Sequence, residues 1–183
     1  MERKTNIMVD LETLGTEPGS VILSIGAVHF RDGEIHSGFQ ESIAPKSCMQ
    51  LGMKADPSTM LWWMEQSEEA RAQLLNGQLH AKPMSDVLRK FIQWVSQCTG
   101  GCLDLKNVRI WGNGASFDCA LLMAAYRRAD IPVPWKYSGE RCYRTVKALN
   151  PDVVEEAREG THHDALADAT HQAKHLMKIL PTM

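Results

Sequence analysis

The chain has 183 residues, 44% hydrophobic and 23% charged, a balance that suits one packed domain over residues 1–183 and excludes a disordered tail. Its formal net charge of −2 excludes a protein-wide basic field, so any polyanion must be met by a local patch or by bound cations. No apolar run approaches the roughly 18 residues that would span a membrane, MERKTNIMVD at the start lacks a signal-peptide core, and five cysteines form no CxxC pair, so a soluble cytoplasmic protein with free thiols is expected.

The first predicted strand contains Ile7, Met8, Val9 and Leu11, and it carries two carboxylates, Asp10 and Glu12. Residues two apart on a strand leave the same face, so Asp10 and Glu12 point together while Val9 and Leu11 enter the opposite layer. Two like charges side by side are unfavourable unless one is protonated, water reaches both, or a cation lies between them. A turn (15–20) leads into VILSIGAVHF (21–30), then RDG and EIHSGFQESI (34–43), with the alternation of two paired strands. The opening third therefore reads as a three-stranded antiparallel meander.

From Asp56 the period becomes helical, over PSTMLWWMEQSEEARAQLL (57–75) and SDVLRKFIQWVSQC (85–98). VRIWG (108–112) has the run of a short buried strand, and a helix from about Phe117 to Ala129 follows, with Ser116 placed to cap it and Asp118 in its first turn. Backbone N–H groups and the helix dipole favour an ionised Asp118 at the end of a sheet strand, where open α/β sheets bind ligands. The last element is a helix from about His162 to Ile179, with Thr161 and Asp164 as a capping pair. Leu166, Ala169, Ala173, Leu176 and Leu180 form its apolar stripe, and Asp168 borders it. Strands followed by alternating strand and helix describe one mixed sheet flanked by helices.

Asp-x-Glu in the first strand, Phe-Asp after a later buried strand, and His-x-x-x-x-Asp in the terminal helix resemble, in order and spacing, the DEDDh exonucleases of the DnaQ-like superfamily. The resemblance covers Asn6 to Met177. It implies an α/β ribonuclease H-like fold with a five-stranded mixed β-sheet, two divalent cations (Mg²⁺ or Mn²⁺) held by Asp10, Glu12, Asp118 and Asp168, and His163 as general base. Four carboxylates and no thiolate suit hard cations, which in pairs activate water and steady the charge of phosphodiester cleavage. On a continuous helix His163 and Asp168 would stand about 140° apart, which separates base from cation ligand. His162 competes for the base role, and the five-residue spacing to Asp168 favours His163. His171 and His175, spaced i, i+4 without the glutamate of a zinc helix, read as surface residues.

On the substrate side, the resemblance places Thr13 and Leu14 under the terminal nucleotide. The stretch PSTMLWWMEQSEEAR (57–71) looks like a feature of the branch that contains phage exonuclease A and RNase AS-like exoribonucleases. Trp62 and Trp63 point about 100° apart on a helix, so one is expected in the core and the other on a base. Arg144, with Arg127, Arg128, Arg141 and Lys147, is the candidate basic lip. The chain departs from the family pattern at Gly114, where many members have asparagine four residues before the second aspartate, and Asn113 lies beside it. The expected function is 3′-to-5′ removal of nucleoside 5′-monophosphates from single-stranded nucleic acid ends, DNA favoured and RNA the alternative. A non-catalytic end-binding module and a small-nucleotide phosphohydrolase are the rivals. No membrane partner is expected, and family analogy allows a homodimer.

Overall fold

A computed structural model describes residues 4–158 and 162–182. The three-stranded meander is present as β1 (Thr5–Thr13), β2 (Ile22–Arg31) and β3 (Glu34–Ser42). Next come α1 (Pro45–Gln50), α2 (Pro57–Glu65), α3 (Glu68–Gln78) and α4 (Met84–Cys98). Then β4 (Val108–Gly112), α5 (Asp118–Arg128), β5 (Glu140–Cys142), α6 (Tyr143–Leu149) and α7 (Ala165–Ile179) complete the order. The sheet runs β3-β2-β1-β4-β5. The meander is antiparallel, whereas β4 pairs parallel to β1 and β5 parallel to β4, which gives the expected mixed five-stranded sheet.

Alternation on the central strand assigns the two faces. Ile7, Val9 and Leu11 enter the larger core, which also holds Leu88 and Phe91 of α4 and Leu121 and Leu122 of α5. Met8 enters the smaller core with Val28, Phe30, Trp111, Tyr143 and the α7 residues Ala169, Ala173 and Leu176. Asp10 and Glu12 therefore leave β1 on the side that α7 covers, and they do so where the strand runs out of core. Opposite Asp10, β2 places Gly26. A Cβ there would lie 2.1 Å from the carbonyl carbon of Ala165, so only glycine lets the first turn of α7 rest on the sheet beside the acidic pair.

Local chemistry moved several boundaries. The helical run 57–75 is two helices, because Ser67 accepts from the Ala70 amide and starts α3 afresh. Phe117, not Ser116, occupies the cap position of α5 and makes no side-chain cap bond. The terminal helix starts at Ala165 rather than His162, since Asp164 caps it by accepting from the Ala167 amide at 2.7 Å. Thr161, the other half of the expected capping pair, lies outside the described residues. His162 and His163 thus form a turn, with His163 at φ 65°.

Candidate active site

Three elements converge on one open cavity of about 610 Å³. The end of β1 supplies Asp10, Glu12 and Thr13, α7 supplies Asp168 and Gln172, and the turn before α7 supplies His162 and His163. Trp62 and Trp63 of α2 form the opposing wall. Asp118 joins from behind, in a smaller adjoining pocket shared with Asp10, Asn113 and Arg144. Its position depends on β4, because a Cβ at Gly112 would lie 2.8 Å from that of Asp118. Asp118 also accepts from the Gly114 amide at 3.3 Å, so glycine at this departure point still serves the aspartate through its backbone.

The carboxylates are poorly compensated. Burial, then the charges of Asp118 and Glu12, hold Asp10 well above the usual carboxylate range. Burial, then Asp164 and Asp118, push Glu12 up to about 8. Burial raises Asp118 to about 6 against the pull of its backbone hydrogen bonds. Among the described residues, Arg158 on Asp168 is the one ion pair that any of the four makes. Single ligand atoms of Glu12, His163 and Asp168 all lie within 4.8 Å of one another. A set of oxygens short of positive charge, with an imidazole at its edge, fits a hard divalent cation better than any neutral ligand.

His163 stands where the sequence argument did not place it. Because the helix begins two residues later, the 140° separation does not apply, and the His163 ring converges with Asp168 instead of turning away. The His163 backbone amide donates to Asp168 at 3.2 Å. Its ring lies edge-on to Trp62 and Trp63, with centroids 5.0 and 5.7 Å away. Burial, then His162 and Arg158, lower its pKa, so the imidazole is neutral at pH 7 and free to accept a proton. His162 also lines the cavity but is exposed.

Trp63 is the buried indole, 6% exposed, and donates Nε1–H to the Thr13 carbonyl at 2.9 Å. Trp62, 41% exposed, is the indole presented to solvent. Thr13 lines the cavity with its hydroxyl donated to the Gly15 carbonyl, whereas Leu14 packs on the larger core and is not in the cavity wall.

The basic lip does not assemble. Lys147 pairs with Glu155, Arg141 donates to the Ser138 carbonyl, and the Arg128 guanidinium sits against Gly52; of the five, Arg144 alone lines a pocket with the carboxylates. His171 and His175 are corrected as well. His175 is buried, between the Tyr143 hydroxyl and the Val153 carbonyl, both at 2.8 Å, and His171 lies 2.9 Å from Glu155. They dock the segment after α6 onto α7. Two cavity residues that bond the carboxylates were not among the sequence candidates, Arg158, which pairs with Asp168, and Gln172, whose amide donates to Asp10 at 2.8 Å. The i+4 spacing of Gln172 from Asp168 was the available signal for the second.

Residues 5–180 match the model of the 3′-5′ exoribonuclease Rv2179c-like domain. The chain belongs to this family. Its mixed five-stranded sheet flanked by helices is the fold of the solved structures it resembles. The nuclease domain of 3′hExo, a DEDDh family member bound to rAMP, matches at TM-score 0.68 and 13% identity, over 99% of this chain and 94% of that one. Exonuclease I matches at TM-score 0.66 and 16% identity, over 98% of this chain. The zinc-bound E. coli exonuclease I complex with single-stranded DNA matches at 0.66 and 14%, again over 98%. This chain spans only about two fifths of exonuclease I, 42% and 41% in the two cases. No curated protein matches it by sequence. No helix among the described residues is long and apolar enough to cross a membrane.

Proposed function

We propose that this family member trims single-stranded RNA from its 3′ end, releasing nucleoside 5′-monophosphates one at a time. The observation that carries the reading is the convergence of Asp10, Glu12 and Asp168 with His163 on one cavity, with Asp118 beside Asp10 in the pocket that adjoins it. The exoribonuclease description of the family shifts the preference from the DNA favoured by sequence to RNA. Structural likeness to DNA-bound exonuclease I speaks for the fold, not for the substrate.

In this reading the four carboxylates would hold two divalent cations, Mg²⁺ or Mn²⁺. Such a pair, when bound, lowers the pKa of water and neutralises charge on the phosphoryl oxygens. The remaining work falls to the chain itself. His163 accepts the proton of the attacking water on a ring nitrogen, held in place by the two indoles and its backbone bond to Asp168. Trp62 offers its exposed face to the terminal base, a contact indifferent to sequence, and Arg144 meets a backbone phosphate beside Asp118. Water attack at the terminal phosphodiester expels the 3′ oxygen of the penultimate residue, which fixes the product as a 5′-monophosphate.

A time course on matched 5′-labelled RNA and DNA oligomers, with Mg²⁺, Mn²⁺ or EDTA and an Asp10→Ala control, tests this. An RNA ladder shortening from the 3′ end, lost in EDTA and in the variant, is expected. Faster shortening of DNA would overturn the substrate assignment, and no shortening of either would overturn the activity.

A further inference from the structure

We infer that Gln172 is a positioning residue for Asp10, and that through it α7 sets how tightly the carboxylate cluster holds its cation. The inference rests on the metal-dependent reading above. Gln172 lies one turn beyond Asp168 on α7, so the helix presents a carboxylate and an amide to the same cavity. The side chain is 6% exposed. Its Nε2 donates to Asp10 Oδ1 at 2.8 Å, across 162 positions of sequence. That bond ties Oδ1 of Asp10, so the aspartate cannot rotate away from the cavity that both residues line without breaking it. Repulsion among the three carboxylates favours such a rotation, since Asp118 and Glu12 both act against the ionised Asp10.

The other end of the amide supports a role beyond packing. Gln172 Oε1 is buried and has no hydrogen-bond partner among the described residues. A buried polar atom left unpaired is destabilising, and a core position would be better filled by an apolar side chain. An amide retained there is explained by what its N–H does for Asp10. Partners of this kind, one step behind a metal ligand, typically change metal affinity by about 10–100-fold when removed.

The test is Mn²⁺ binding, followed by electron paramagnetic resonance of free Mn²⁺, on wild type, Gln172→Met, Gln172→Leu and Asp10→Ala, with thermal unfolding in EDTA alongside. Methionine and leucine keep much of the volume while removing both the donor and the orphan carbonyl, so metal-free melting close to wild type is expected. The Mn²⁺ dissociation constant should rise about 10–100-fold in both Gln172 variants, and Asp10→Ala should lose the site. Unchanged Mn²⁺ affinity in folded Gln172→Met or Gln172→Leu, with wild type binding normally, would overturn the positioning role and leave the metal reading intact. A lower melting temperature with unchanged affinity would likewise make Gln172 a packing residue only. Absence of Mn²⁺ binding in wild type would overturn the metal reading itself.

Discussion

Two glutamates near the ends of β1 and β3, the strands on either side of β2, have met burial in opposite ways. Glu41, near the end of β3, is drawn partly out of water, yet Lys82 and Lys90 reach it at 2.7 and 2.9 Å. Burial raises its pKa, and the two lysines outweigh that and hold it below the ordinary carboxylate value. Glu12, at the end of β1, is 6% exposed, faces Asp164 and Asp118, has no cation paired to it among the described residues, and rises to about 8. The first arrangement stabilises the fold on its own. The second is unfavourable on its own, and a chain that keeps it leaves a place for positive charge that protein side chains do not supply.

The largest effect that separates the two glutamates should be catalytic. Glu12→Gln should lower the exonuclease rate by about 10³-fold or more, since it removes a charge the reaction depends on, whereas Glu41→Gln should leave the rate unchanged. Initial rates on a 5′-labelled RNA oligomer measure both, and a Glu12→Gln enzyme within tenfold of wild type would remove the contrast. His163→Ala should lower the rate by about 10²–10⁴-fold. Because His163 titrates below the ordinary histidine value, the wild-type rate should fall only as pH drops below about 6.5, and the variant should lose that acid limb.

Stability should also divide them by sign. Glu12 and Asp118 have folded-state pKa values above their ordinary ones, so their contribution is fully present below about pH 4 and is lost as pH rises through about 6 to 8. In EDTA the melting temperature should therefore fall by several degrees between pH 5 and 8.5, and Glu12→Gln should flatten that fall. Glu41 is depressed, so its contribution is present above its ordinary value near 4.5 and is lost as pH falls below it. Glu41→Gln should accordingly destabilise by about 1 kcal/mol at pH 7, a shift of roughly 2–4 °C, the smallest effect in the set.

How much of this could be read in the sequence follows from the range of the interactions involved. Asp10 and Glu12 were legible because strand alternation is local, and Asp168 because the stripe of α7 is local. The order of the acidic motifs carried the family and, through it, the fold. The turn at His163 was not legible, since Thr161 and Asp164 both have capping chemistry and only the folded chain selects Asp164. The burial of His175 was hidden for a different reason, as its partners Tyr143 and Val153 come from 32 and 22 positions away. Gln172 was missed because an amide carries no chemistry of its own and acquires meaning only against Asp10. The basic lip was not legible because cations close in sequence need not be neighbours in space, and Arg128, Arg141 and Lys147 are engaged at Gly52, Ser138 and Glu155.

The most direct test of the claim that Glu12 and its neighbours await a cation is thermal unfolding at pH 8 in EDTA and in excess Mn²⁺, for wild type and Glu12→Gln. Mn²⁺ should raise the wild-type melting temperature by several degrees and raise that of Glu12→Gln far less, because binding to the folded state stabilises in proportion to site occupancy. Equal melting of wild type with and without Mn²⁺ would contradict the claim, and the uncompensated carboxylates would then need another explanation.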